Sequence, residues 1–147
     1  MSRIQLAMNV TDLDAAVAFY SQLLDRPPHK VREGYANFAV DDPPLKLVLT
    51  QDAAVPGGSL NHLGIEVGAT EDVAATNRRL SQAGLVTDVR VAELCCHAVQ
   101  DKVWVRDPDG AAWEVYTVID DEPEPTAVAS ADGTDRAGNR CCAPASA

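Results

Sequence analysis

Three residues of types that bind divalent metals lie at related points of an internal repeat in this 147-residue chain. Residues 3–10 align with residues 60–67 at an offset of 57, and this places Gln5 on His62; Glu114 lies on the last predicted strand. An amide oxygen, an imidazole and a carboxylate form a plausible three-ligand metal site. Spacing alone also allows other roles: His62 as an ordinary hydrogen-bonded histidine, Glu114 as a charged residue at the rim of the sheet, and Gln5 as a residue without a special function.

The repeat position that corresponds to Glu114 is occupied by Lys46. A lysine ammonium has no lone pair for a metal, so a closed four-ligand site is not expected. Three ligands with open positions are similar to the arrangement in non-haem Fe(II) oxygenases, with a glutamine oxygen replacing one imidazole.

Four cysteines occur as two adjacent pairs, Cys95-Cys96 and Cys141-Cys142. A disulfide within such a pair would be strained, so free thiols are expected in a reducing compartment. The first pair lies where the second half of the repeat is 11 residues longer than the first. On a flexible loop, Cys95 and Cys96 would converge on one soft ion, although chance adjacency stays open. His97 either lowers a thiol pKa or is simply a polar loop residue.

Each half of the repeat predicts a strand, a helix and about three further strands, which gives an α+β fold of two βαβββ modules at about 2–55 and 60–118. Alternation predicts half-buried first strands with one apolar face. Thr11 is the expected cap of the first helix and Pro27-Pro28 its stop, while Thr70 opens the second and Gly84 follows its end. The predicted inward residues are Leu13, Ala16, Val17, Tyr20, Leu23 and Leu24 in the first helix and Val73, Leu80 and Ala83 in the second.

Composition limits the partners and the location. The net charge is −10, of which −4 falls in residues 119–147, and no basic stripe is present to neutralise phosphates. Nucleic acid and acidic membranes are therefore not expected partners. The chain has neither an apolar run of about 20 residues nor a signal-peptide core, which predicts a cytoplasmic protein. Residues 119–147 are acidic and of low complexity, and they predict a disordered tail after a 1–118 domain.

Taken together, these modules and ligand positions resemble the vicinal oxygen chelate superfamily of glyoxalase, bleomycin-resistance and extradiol dioxygenase proteins. One branch is especially similar, that of bacterial organoarsenical carbon–arsenic lyases and mycobacterial cadmium-induced proteins. The segments that carry this similarity are Gly34–Phe38, Asp42–Leu49, Leu60–Gly64, Gln100–Val105 and Trp113–Tyr116. It extends over about residues 2–118 and includes the Cys95-Cys96 pair.

The resemblance implies an open barrel and an Fe(II)-dependent, dioxygen-using cleavage of trivalent organoarsenicals, such as methylarsenite or trivalent aromatic arsenicals, to arsenite. By position, Gln5, His62 and Glu114 would bind Fe(II), and Cys95 and Cys96 would bind As(III). Two alternatives stay open: a cadmium- or arsenite-binding resistance protein without turnover, and a glyoxalase-like enzyme of the same fold. Modules of this kind pair within one chain or are exchanged between chains, which leaves a homodimer open.

Overall fold

The computed structural model describes residues 2–54, 56–95, 97–106, 108 and 110–123. The chain forms two compact units, an N-terminal one over 2–64 and a C-terminal one that begins at residue 65. The predicted Cys96, Cys141 and Cys142 lie outside the described residues, as does the tail beyond residue 123. Among the described residues, no helix has the length and apolar character needed to cross a membrane.

The N-terminal unit contains one βαβββ module. Its elements are β1 (Arg3–Val10), α1 (Leu13–Leu23), β2 (Lys30–Arg32), β3 (Tyr35–Val40) and β4 (Leu45–Gln51). The strand order is β2-β3-β4-β1, with β1 parallel to β4 and the other pairs antiparallel. Strand β5 (Leu60–Glu66) begins in this unit, and its last two residues belong to the C-terminal unit.

The C-terminal unit contains the rest of the second module. After β5 come α2 (Thr70–Gln82), β6 (Asp88–Cys95), β7 (Ala98–Arg106) and β8 (Ala112–Asp120). Strands β8, β7 and β6 are neighbours in that order, and both pairs are antiparallel. The predicted sequence of strand, helix and three strands is therefore present twice.

Each unit packs its helix on its own apolar cluster. In the N-terminal unit the buried members are Leu13, Ala36, Phe38, Leu47 and Leu49. In the C-terminal unit they are Val73, Val103 and Val115. Because the apolar residues of β1 (Leu6, Met8 and Val10) pack on the first cluster, alternation places Gln5, Ala7 and Asn9 on the opposite face.

That opposite face corrects the prediction of a half-buried strand. Gln5, Ala7 and Asn9 are buried, whereas the apolar residues between them are only partly buried. Polar side chains at such positions need hydrogen-bond partners, since an unpaired buried polar group is costly. We therefore expect the functional side chains of this unit to lie on the polar face of β1.

The cap of α1 differs from the prediction by one residue, whereas α2 begins at Thr70 and is followed by Gly84 as predicted. Asp12, not Thr11, caps α1, because its side chain accepts a hydrogen bond from the Ala15 amide at 2.9 Å. Leu23 was predicted to face inward but is 65% exposed, since it is the last residue of α1. Helix α2 has no side-chain cap at Ala69, and Ala83, also predicted inward, is the exposed C-cap.

Candidate functional site

The N-terminal unit brings two of the predicted metal ligands into contact. Gln5 on β1 and His62 on β5 are both buried, and their side-chain Nε2 atoms are 3.2 Å apart. An amide nitrogen only donates, so the His62 Nε2 accepts this hydrogen bond. Asn61 Oδ1 lies 2.8 Å from the other ring nitrogen, Nδ1. The imidazole is therefore held at both nitrogens, and its Nε2 lone pair faces Gln5.

Lys46 lies beside this pair. It is buried, and its Cα is the register partner of Gln5 in the parallel β1–β4 ladder. A lysine ammonium has no lone pair for a cation, so we still expect no metal ligand from this position.

The C-terminal unit brings together Glu114 and Cys95. Glu114 on β8 is buried, and its Oε2 is 3.2 Å from the Lys102 ammonium on β7. Cys95 is the last residue of β6 and is 3% exposed. The charge of the same ammonium acts on its thiol and favours the thiolate. Lys102 thus joins a predicted metal ligand to a predicted arsenic ligand.

Glu93 completes the charge cluster of this unit. Its Oε2 lies 3.5 Å from the Lys102 ammonium, and its Oε1 accepts from Arg90 at 2.6 Å. Glu93 and Cys95 are aligned with Gln100 and Ala98 in the β6–β7 register, so Glu93, Cys95 and Lys102 project from one face of these strands.

Burial and charge act in opposite directions on the two titrating groups. Burial raises the pKa of the Cys95 thiol to about 11, although the Lys102 ammonium opposes the shift. Burial alone would lower the pKa of Lys102, but the charges of Glu114, Cys95 and Glu93 together outweigh it, and the pKa is raised above its ordinary value. At neutral pH the site therefore holds a protonated thiol beside a charged lysine.

Two sequence predictions about the cysteines change. Cys95 belongs to a strand and not to a flexible loop, because only residues 96 and 97 separate it from its register partner Ala98. The cation that acts on its pKa is Lys102, where the sequence had suggested His97. The position of Cys96 is outside the described residues.

Sequence reasoning did not single out Lys102. A usable signal existed, because Lys102 lies on β7 at the same parity as Trp104, the register partner of Glu114. A lysine at such a position needs a buried carboxylate. The hairpin turn that follows β7 would have been enough to estimate this register.

The predicted ligands thus occur as two groups, with Gln5 and His62 in one unit and Glu114 in the other. Within the described residues, no cluster of three or more His, Cys, Asp or Glu side chains is arranged to hold a metal ion. The predicted set differs from such a cluster because one ligand is a glutamine. That all three ligands share one ion stays a prediction.

Comparison with known families explains the repeated module. The model of the glyoxalase/bleomycin resistance protein/dioxygenase superfamily matches residues 3–115. The chain belongs to this superfamily. Its α+β fold of two βαβββ modules is the vicinal oxygen chelate fold that the sequence predicted.

Two curated relatives resemble this superfamily member over nearly its whole length. The "Cadmium-induced protein CadI" of Mycobacterium bovis is 52% identical over 97% of this chain and 93% of the relative. The "Trivalent organoarsenical cleaving enzyme" of Thermomonospora curvata is 48% identical over 98% of this chain and 90% of the relative. Both names match the branch that the sequence predicted.

Among solved structures, the Mn(II)-bound glyoxalase from Novosphingobium aromaticivorans has the same fold. The TM-score is 0.59 at 20% identity, over 84% of this chain and 42% of that chain. The likeness at this identity concerns the fold alone.

Proposed function

We propose that the protein is an Fe(II)-dependent, dioxygen-using carbon–arsenic lyase that converts trivalent organoarsenicals to arsenite for detoxification. Its substrates would be small molecules such as methylarsenite and trivalent aromatic arsenicals. The name of the Thermomonospora curvata relative supports the substrate class. One structural observation carries the proposal: the Lys102 ammonium pairs with the Glu114 carboxylate, and its charge acts on the buried Cys95 thiol.

Cys95 and Cys96 are the proposed arsenic ligands. Two thiols replace the two hydroxyl groups of a trivalent arsenical R–As(OH)₂, and two waters leave. Because the pKa of Cys95 is about 11, its thiol carries its proton at neutral pH and can give it to the departing hydroxyl group. A buried thiol also suits a soft, weakly hydrated ligand, since thiolates select soft centres.

The donor set suits a divalent iron ion. His62 presents its Nε2 lone pair, Glu114 supplies a buried carboxylate, and Gln5 supplies an amide oxygen once that atom, and not the nitrogen, is turned to the ion. When bound, Fe(II) supplies the one-electron chemistry with dioxygen that amino-acid side chains lack. The protein contributes binding, orientation and exclusion of water by these buried groups.

The overall reaction balances without an external reductant. For methylarsenite, CH₃As(OH)₂ and O₂ give As(OH)₃ and CH₂O. The carbon–arsenic bond breaks, the carbon loses four electrons to the two oxygen atoms, and arsenic stays trivalent. One oxygen atom ends on arsenic and the other on carbon, so arsenite, formaldehyde and consumed dioxygen should appear in equal amounts.

The test is aerobic and anaerobic turnover of methylarsenite by Fe(II)-loaded protein, with arsenite, formaldehyde and dioxygen all measured. We expect turnover only with dioxygen, and a loss of at least about 100-fold in Cys95→Ser, Cys96→Ser, His62→Ala and Glu114→Ala, because each removes a ligand. Arg78→Ala on the exposed side of α2 is the matched control. Wild-type turnover in the two cysteine variants, or in the His62 and Glu114 variants, would refute the proposal.

A second candidate is a resistance protein that binds cadmium or arsenite without turnover. The name of the Mycobacterium bovis relative and the buried thiol of Cys95 favour it. Dioxygen separates the two functions, since sequestration works equally well without it. Stoichiometric binding of methylarsenite with no arsenite released from Fe(II)-loaded protein in air would establish sequestration.

A further inference from the structure

A chain of side-chain hydrogen bonds leads from His62 to the segment that precedes β5. His62 Nδ1 is 2.8 Å from Asn61 Oδ1, and Asn61 Nδ2 donates to Asn9 Oδ1 at 3.2 Å. Asn9 Nδ2 donates to Ser59 Oγ at 2.9 Å, and Ser59 Oγ donates to the Pro56 carbonyl at 2.5 Å. All five residues belong to the N-terminal unit.

The Pro56 carbonyl, at the end of this series of hydrogen bonds, determines which group donates and which accepts in each of them. A carbonyl only accepts, so the Ser59 hydroxyl uses its single proton on Pro56. Its oxygen then accepts from the Asn9 amide, whose own oxygen accepts from Asn61. The Asn61 oxygen is left facing the ring and can only accept. His62 Nδ1 therefore carries the proton, and the lone pair is on Nε2.

Gln5 leads to the same tautomer from the other side of the ring. Its amide Nε2 lies 3.2 Å from His62 Nε2, and an amide nitrogen has hydrogens but no available lone pair. His62 Nε2 has to accept. The contacts at Nδ1 and Nε2 are separate observations, and both require the proton on Nδ1.

The backbone holds this chain in place. The Gly58 amide donates to the Asn9 carbonyl at 2.6 Å, and the Asn9 amide donates to the Ser59 carbonyl at 2.9 Å. Asn9 is itself 5% exposed. A buried amide with its main chain fixed on both sides has little freedom to turn, so it transmits the orientation of Ser59 to Asn61.

We infer that Asn61, Asn9 and Ser59 are positioning residues that hold His62 as its Nδ1–H tautomer, with Nε2 presented as the metal-binding atom. The metal-binding part rests on the proposed function, whereas the tautomer does not. Histidine ligands of metals commonly donate their other N–H to a carboxylate, a carbonyl or water. Here the acceptor is a neutral amide, which orients the ring without adding negative charge.

The tautomer can be measured directly in metal-free protein. Long-range ¹H–¹⁵N correlation spectra above pH 8, with the His62 signals assigned by their loss in His62→Gln, should show a protonated Nδ1 and an unprotonated Nε2. In a Gln5→Ala background, which removes the contact at Nε2, Asn61→Ala and Asn9→Ala should move the proton toward Nε2. In the same background Asn61→Asp keeps an acceptor at Nδ1, although it loses the donor to Asn9, and should keep the tautomer.

Metal affinity provides the second measurement. Mn(II) titration should give binding that is weaker by about 10- to 100-fold in Asn61→Ala and no weaker in Asn61→Asp. A wild-type Nε2–H tautomer would overturn the inference, as would a Gln5→Ala/Asn61→Ala protein with the wild-type tautomer. If the tautomers follow the expectation but wild-type protein binds no Mn(II), the positioning role stands and the metal-binding part of the proposed function fails.

Discussion

Lys102 is the residue on which the chemistry of the C-terminal unit depends. Its ammonium is buried between the carboxylates of Glu93 and Glu114 and the thiol of Cys95, and it lies 5.7 Å from the centre of the Trp104 ring. The two carboxylates keep it charged, and this lets the site hold a buried glutamate without a metal. The same charge would oppose a cation at Glu114, so Lys102 would lower the affinity of the proposed metal site.

Replacing Lys102 by methionine tests this balance. The uncompensated Glu114 should lower the free energy of unfolding of metal-free protein by about 3–5 kcal/mol. Added Mn(II) should then stabilise the variant more than the wild type, because the cation takes the place of the ammonium. Urea denaturation with and without Mn(II) measures both effects, with Arg78→Met as a control. A variant as stable as the wild type without metal would disprove the role of Lys102.

The Cys95 thiol gives the protein a dependence on alkaline pH. Its pKa is about 11 in the folded protein, above the ordinary thiol value, because burial disfavours the thiolate. A raised pKa contributes stability that is complete below the unfolded-state pKa of about 9 and is lost as the pH rises through the folded value. We expect the unfolding free energy to fall by about 2 kcal/mol between pH 9 and pH 11 from this thiol.

The measurement is denaturation by urea across that pH range, compared with Cys95→Ala. In Cys95→Ala the unfolding free energy should fall less steeply with pH, because the contribution of the thiol is absent. The contribution of Lys102 should remain, since its raised pKa also makes the unfolding free energy fall, but at higher pH. Slow alkylation of Cys95 by iodoacetamide at pH 8, rising steeply toward pH 11, is the matching kinetic result. Equal slopes in the two proteins would show that the thiol titrates normally.

At the scale of the elements, periodicity predicted the two helices and the paired strands because each has one regular apolar stripe. It failed for β6, where the register shifts between Arg90 and Glu93 and where Val89 and Val91 are exposed. A bulge breaks the alternation on which such a prediction depends. Cys95 was consequently expected on a loop, and its contact with Lys102 was not foreseen. The register between strands determines which residues distant in sequence contact each other, and composition does not determine that register.

Asp101 holds this irregular strand in place. Its buried carboxylate accepts a hydrogen bond from the Ala92 amide in the bulge at 2.7 Å and another from the Thr70 hydroxyl at the start of α2, also at 2.7 Å. Ala92 has a φ of +49°, which an alanine adopts only when its surroundings require it. Asp101 therefore connects three elements around the strand that carries Glu93 and Cys95.

Asp101→Ala should destabilise the protein by about 3 kcal/mol, because two donors lose a charged acceptor. Asp101→Asn should cost about 1 kcal/mol, since its oxygen can still accept from Ala92 while its amide donates to Thr70. Chemical denaturation of the two variants and of Thr70→Val ranks these contributions. Equal stability of Asp101→Ala and wild type would mean that the bulge needs no such acceptor.

For the whole molecule, the internal repeat carried most of what could be predicted. It gave the two βαβββ modules, because the first strands of both modules share one pattern of apolar and polar residues. Within the candidate site it correctly paired Gln5 with His62, which are in contact at 3.2 Å. It could not show the Asn61 and Asn9 contacts, since amide side chains reveal their partners only in three dimensions.

Variants of the two cysteine pairs test which pair must bind the arsenical for cleavage to occur. The charge of Lys102, which pairs with Glu114, acts on the thiol of Cys95, a proposed arsenic ligand. An arsenical held away from the proposed ligands gains no proximity to them. Cys141→Ser/Cys142→Ser protein should therefore release arsenite from methylarsenite within about twofold of the wild-type rate. Cys95→Ser/Cys96→Ser protein should bind the arsenical only through the tail and release none.

Parallel measurement of bound arsenic and released arsenite separates capture from cleavage. If the tail variant lost turnover while the other kept it, the arsenic ligands would be the tail pair.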